Sequence, residues 1–117
     1  MDRDRVYLGD ILGAATAAQE YILGLDRKRF LSLREKQDAV IRSLEVVGEA
    51  AGRLSDKTRA DLPEIPWEKL RGMRNILIHQ YDNVDLELVY DTVIRHLPSV
   101  AQAVRIYLAR TEKDESP

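Results

Sequence analysis

Val40-Ile41-Arg42-Ser43-Leu44-Glu45-Val46-Val47-Gly48-Glu49-Ala50-Ala51-Gly52-Arg53-Leu54 decides the fold class. Val40, Leu44, Val47, Ala51 and Leu54 alternate steps of four and three. That spacing lines side chains along one stripe of an α-helix and would scatter them over both faces of a strand. The pattern predicts a long helix over about residues 33–54, with Ser32 and Glu35 at capping-box spacing ahead of it. So regular a seam needs a partner helix. Gly48, Ala50, Ala51 and Gly52 would let one approach closely, although each glycine costs about 1 kcal/mol of helix propensity relative to alanine.

The same period recurs on both sides. Leu8, Ile11, Leu12, Ala15, Ala18, Ile22 and Leu25 predict a helix over 6–25, with Gly24 placed for a left-handed turn at its end. Asp26-Arg27-Lys28-Arg29-Phe30-Leu31 is a charged connector with room for one helical turn. Downstream, Asp61, Pro63 and Pro66 mark a loop over 55–66 leading to a third helix that starts at Pro66-Trp67. Trp67, Leu70, Met73 and Leu77 carry its apolar face, and Asp82-Asn83 end it shortly after Tyr81. Asp85 caps a fourth helix facing inward through Leu88, Val89, Thr92, Val93 and Leu97. Pro98 makes 98–110 a bent continuation or a fifth helix. With no sustained period-two alternation, the expected fold class is all-α, a four- to five-helix up-and-down bundle. One domain would span 1–111, followed by a solvated tail over 112–117.

Length and composition bound the chemistry. The 117 residues suffice for a single core, and 44% hydrophobic with 32% charged residues is an ordinary globular balance. A net charge of −2 argues against a polycationic nucleic-acid coat but leaves room for a local basic site. Absence of cysteine excludes disulfides, thiolate nucleophiles and thiolate metal sites. Apolar runs are too short for a membrane span, and Met1-Asp2-Arg3-Asp4-Arg5 lacks signal-peptide character, so a cytoplasmic protein without a membrane partner is expected. The two histidines, His79 and His96, fit no metal-binding pattern, so neither metal nor cofactor is expected. Asp38, Glu45 and Glu49 interleave with Arg42 as surface pairs of the long helix would.

Arg71-Gly72-Met73-Arg74-Asn75-Ile76-Leu77-Ile78-His79-Gln80-Tyr81 is different, placing two guanidiniums, an amide, an imidazole and a phenol near one helix end. Arginine holds a phosphodiester through a planar fork of fixed charge, and histidine exchanges protons near neutral pH. The combination suits phosphoryl chemistry. On one ideal helix Arg74 and Tyr81 lie within about 20° of each other, whereas Arg74 and His79 differ by about 140°. Either the helix unwinds near His79, or a second copy of the motif completes the site across a two-fold axis. The second option also gives the seam of the long helix, or an equivalent apolar face, something to bury, and it predicts a homodimer.

Arg74-x4-His79-x-Tyr81, with Asn75 directly after the arginine, resembles the signature of the HEPN superfamily and, within it, of HepT-like toxins. Gln37-Asp38-Ala39-Val40-Ile41-Arg42, Gly48-Glu49-Ala50-Ala51, Pro63-Glu64-Ile65-Pro66-Trp67 and Leu97-Pro98 extend the likeness over nearly the whole chain. The resemblance implies a HEPN-like two-fold homodimer acting as a metal-independent endoribonuclease of a toxin–antitoxin system, with RNA cut in a cleft between protomers. Arg74 would bind and polarise the scissile phosphate, and His79 would act as general acid or base. Asn75 would orient Arg74 or touch the phosphate, and Arg71 would add electrostatic support. Tyr81 would accept AMP from a partner nucleotidyltransferase antitoxin, silencing the enzyme. His96 matches no functional position and is read as structural. A reading from another class is a non-catalytic helical binding or regulatory subunit of a minimal nucleotidyltransferase. A plain helical dimerisation protein would leave the Arg74/His79/Tyr81 cluster unexplained.

Overall fold

Asp2, Asp26, Ser55 and Asp85 each turn a side-chain oxygen onto a backbone N–H two or three residues ahead, and a helix starts behind each of them. Such a cap satisfies one of the donors a helix start leaves unpaired and contributes about 1 kcal/mol. The computed structural model describes residues 2–112. They form seven helices: α1 (Arg3–Ile22), α2 (Arg27–Phe30), α3 (Arg34–Arg53), α4 (Asp56–Asp61), α5 (Trp67–His79), α6 (Leu86–Arg95) and α7 (Leu97–Glu112). No strand occurs among the described residues, so the chain is all-α. None of these helices is long and apolar enough to cross a membrane.

The buried stripe of α1 is Leu8, Ile11, Ala15, Ala18 and Ile22, five of the seven positions its period predicts, while Leu12 is half-buried and Leu25 lies half-buried beyond the helix. It packs against α3 on one side and α7 on the other, and α5 lies on the far flank of α3. Val40, Leu44, Val47 and Ala51 of α3 are therefore covered within the chain, by α1 and α5. This corrects the expectation that the α3 seam is left for a second copy. Leu70, Met73 and Leu77 from α5, Val89 and Val93 from α6, and Leu97, Val100 and Val104 from α7 complete the core. Full burial of a Leu, Val or Met side chain contributes about 1.5–3 kcal/mol against the ordering entropy.

The short helices fasten the ends. Phe30 of α2 is fully buried, its ring centroid 5.5 Å from that of Tyr90 on α6. The Tyr90 hydroxyl donates to the Leu25 carbonyl at 2.8 Å. Gly24 takes φ +81°, the left-handed turn expected behind α1. The Asp4 carboxylate accepts from Ser55 and Thr58, tying the start of α1 to the start of α4. Burial opposes ionisation of Asp4, but those hydrogen bonds outweigh it and hold the carboxyl below its ordinary range. The Trp67 indole N–H donates to the carbonyls of Leu62 at 3.0 Å and Arg59 at 3.1 Å, locking the approach to α5.

Local details depart from the sequence reading. The stretch 55–66 holds α4 rather than only a loop, because Ser55 caps it and Asp4 anchors the cap. The Ser32/Glu35 capping box does not form: α3 starts behind Leu33 without a side-chain cap, and the Ser32 hydroxyl donates to the Arg29 carbonyl instead. α5 stops at His79, short of Tyr81. Pro98, by contrast, opens a further helix as one of the two expected outcomes, being the second residue of a separate α7, where a missing N–H costs nothing. Glu112 closes α7, and the rest of the expected tail, 113–117, lies outside the described residues.

Candidate ribonuclease site

The site grows from the crossing of α3 and α5. A β-carbon built on Gly48 would overlap the Arg74 β-carbon and lie 2.8 Å from the Leu70 carbonyl oxygen. Leu70 and Arg74 are one turn apart on α5, so glycine at 48 lets that face press its backbone against α3. This is the close approach that the small residues of α3 predict, and its partner is α5 of the same chain.

Arg74 is pinned at the crossing. Its Nη2 lies 2.8 Å from Glu49 Oε2, and its Nη1 donates to Asn75 Oδ1 at 3.0 Å. Its Nε is buried without a hydrogen-bond partner among the described residues, a cost of about 1–3 kcal/mol. Glu49 in turn accepts at Oε1 from Arg53 Nε at 3.1 Å and Nη2 at 2.9 Å. One carboxylate thus holds a guanidinium from each helix. The Arg53 hydrogen bonds, then the Arg74 charge, keep the Glu49 carboxyl below its ordinary value of 4.5, so it is ionised at neutral pH. Along α3 alone Glu49 reads as a surface pair. Only its i,i+4 partner Arg53 is visible along one helix, and the partnership with Arg74 needs the crossing.

Two clefts flank this bridge. One, of about 420 Å³, has Arg42, Glu45, Asp10, Tyr7 and Ile78 on its walls. The other, of about 350 Å³, is bordered by Gly52, Arg53, Arg71 and Asn75. Among the described residues Arg71 reaches only Glu68, at 3.4 Å, an exposed i,i+3 pair of little energetic weight.

His79 is the last residue of α5, exposed, and its imidazole makes no hydrogen bond or ion pair with another described residue. The helix is intact from Arg74 to His79. Local unwinding therefore does not swing the imidazole toward Arg74, and the two remain about 140° apart around the axis. Tyr81 lies beyond the Gln80 cap in a turn closed by the Asn83 N–H on the Gln80 carbonyl. Its ring is 80% exposed. Helical alignment of Tyr81 with Arg74 accordingly fails, because the helix ends first. His96 sits between α6 and α7, Nε2 3.5 Å from Lys69 Nζ. Burial first, then Lys69 and Arg95, push its imidazole below the ordinary 6.5. Among the described residues no group of three or more His, Asp or Glu side chains is arranged to hold a metal ion.

An arginine is thus anchored at a helix crossing, with an exposed histidine a turn and a half further on. The family model for "Ribonuclease HepT-like" proteins matches residues 11–106, a span containing Glu49, Arg53, Arg71, Arg74, Asn75, His79 and Tyr81. The chain belongs to the HepT-like ribonuclease family. It is 34% identical over 102 residues to a Methanocaldococcus jannaschii protein named "Putative RNase", covering 87% of this chain and 94% of the other. It is 37% identical over 94 residues to the "Probable ribonuclease HepT" of Thermococcus cleftensis, covering 80% and 86%. It is 30% identical over 110 residues to a "Putative RNase" of Caldanaerobacter subterraneus subsp. tengcongensis, covering 94% and 98%. No solved structure matches significantly. In this HepT-like chain Arg74, His79 and Tyr81 lie on one element and the turn that follows it, whereas Glu49 and Arg53 come from another.

Proposed function

We propose that this HepT-like chain is a metal-independent endoribonuclease and the toxin of a toxin–antitoxin pair, cutting RNA in a cleft between two copies of itself. The observation that carries the reading is the intact helix joining Arg74 to His79. One copy carries a fixed guanidinium and an exposed imidazole that do not face a common point, so a second copy related by a two-fold axis is needed to supply the missing half. Ile76 and Ile78, exposed on opposite flanks of α5, give that contact apolar surface to cover. It replaces the α3 seam, which is used up inside the chain.

In the proposed reaction Arg74 binds the scissile phosphate through N–H groups outside its Glu49 and Asn75 contacts and stabilises the charge that builds on the phosphoryl oxygens. The ribose 2′-oxygen attacks phosphorus and gives its proton to an imidazole. The bond to the 5′-oxygen breaks, that oxygen takes a proton, and a 2′,3′-cyclic phosphate and a 5′-hydroxyl result. Two copies of His79 provide one group for each proton transfer. No step asks for a metal.

Tyr81 is the proposed site of silencing. A phenol with four-fifths of its surface in solvent is accessible to a second enzyme. An adenylate on it would put bulk and a negative phosphodiester beside the RNA path. The phenolic oxygen attacks the α-phosphorus of ATP, pyrophosphate leaves, and the phenol proton goes to solvent. The partner is a nucleotidyltransferase antitoxin.

Purified protein is expected to cleave RNA in the presence of a chelator, to sediment as a dimer, and to lose cleavage in Arg74→Ala and His79→Ala with unchanged melting. Full activity in both variants removes the assignment. Incubation with a nucleotidyltransferase encoded beside it and ATP should add AMP mass to the wild type and none to Tyr81→Phe. Complex formation with that partner in a chain that cuts no RNA when unmodified would favour the non-catalytic subunit reading instead.

A further inference from the structure

The two clefts beside Arg74 differ in charge. The first sets Arg42, Arg53 and Arg74 against Asp10, Glu45 and Glu49, a balanced lining. The second sets Arg53, Arg71 and Arg74 against Glu49 alone. The lining carries a formal excess of two positive charges in about 350 Å³, still one when Glu68 beside Arg71 is counted, a local reversal on a chain whose net charge is −2. Such a cleft concentrates anions.

Glycine at its floor has no packing explanation. Gly48 is forced by the helix crossing, but a β-carbon on Gly52 would meet only Arg71 Nε, at 3.8 Å, an ordinary contact. Alanine would fit there and would strengthen α3, since glycine weakens a helix interior. What glycine preserves is an open floor between Arg53 and Arg71. Among the described residues Arg71 itself is held only by the weak Glu68 pair, which leaves its fork able to turn to a ligand.

We infer that Arg53 and Arg71, across the bare backbone of Gly52, form a second phosphodiester subsite that grips the RNA phosphate next to the one Arg74 engages. The inference rests on the ribonuclease reading and extends it. Glu49 fits this role, since a carboxylate shared by Arg53 and Arg74 keeps two like charges close while no substrate is bound. Recognition here is of backbone charge, so the subsite sets register along the strand without choosing a base.

The test uses the full chain and a short 2′-O-methylated oligoribonucleotide, with a neutral methylphosphonate placed at each linkage in turn. Wild-type affinity should drop at two neighbouring linkages, and in Arg71→Gln at one, with overall binding weakened about tenfold, the worth of one charged hydrogen bond. The slope of log affinity against log salt should fall by about 0.7, the value for one single-strand phosphate. Gly52→Gln should mimic this loss by filling the floor and Gly52→Glu should exceed it by adding a negative charge, both keeping or raising the melting temperature because either residue favours a helix over glycine. A wild type that cleaves RNA yet senses one linkage, or an Arg71→Gln scan and salt slope identical to wild type, overturns the subsite alone. A wild type that neither cleaves nor binds overturns the ribonuclease reading with it.

Discussion

Gly48 and Arg74 occupy one space: the β-carbon that any other residue would carry at 48 falls on the β-carbon of Arg74. A backbone feature of α3 therefore fixes the position of the arginine on α5. Gly48→Ala gains helix propensity but must separate the helices, and overpacking of this kind costs about 1–3 kcal/mol. The variant should melt lower than wild type and cleave RNA at least tenfold more slowly under conditions where it remains folded. Equal stability and equal activity would show that the crossing has slack.

Arg74→Lys should fail almost as completely as Arg74→Ala. Lysine keeps the charge but cannot contact Glu49, Asn75 and a phosphate at once, because its donors sit on a single nitrogen. A loss of about 100-fold or more in cleavage, with thermal stability within about 1 kcal/mol of wild type, is expected.

Glu49→Gln separates binding from turnover. Removing the carboxylate leaves Arg53 and Arg74 as near neighbours without their shared counter-ion, so RNA binds more tightly while Arg74 loses its fixed position. Steady-state kinetics should give a lower KM together with a several-fold lower kcat. Because its partners hold the Glu49 carboxyl below 4.5, the clamp stays ionised through the neutral and mildly acidic range.

His96 makes a separate prediction about pH. Burial, Lys69 of α5 and Arg95 of α6 place its imidazole below 6.5, and Asp91, on the same wall, is already engaged by Arg27. The unfolded chain thus takes up this proton at a higher pH than the folded one. The resulting stability is whole above about pH 6.5 and is lost as pH falls through the folded value. Nuclear magnetic resonance titration should place His96 below 6.5, and Lys69→Gln should move it up by removing a neighbouring positive charge. A His96 midpoint at or above 6.5 would contradict the packing around it.

Much of the helix plan was legible because helical burial repeats along the chain. The α1 stripe and the α3 seam read directly, and Gly24 and Asp85 took the terminal positions their chemistry suits. α4 was missed because its cap is completed by Asp4, fifty-one residues before Ser55. The failed Ser32 cap has the opposite cause, since a nearby Arg29 carbonyl takes the hydroxyl first.

By itself the sequence determined the helical period, the absence of thiol chemistry, and the grouping of Arg74, His79 and Tyr81 near one helix end, since all of these depend on composition or on neighbours within a few turns. Tertiary structure decided that α5, and not another copy, packs on Gly48 of α3, that Glu49 holds Arg74, and that the positive cleft lies on the Gly52 side. Those outcomes depend on which faces of two separate helices meet, and contacts between residues far apart in the chain leave no periodic trace along it.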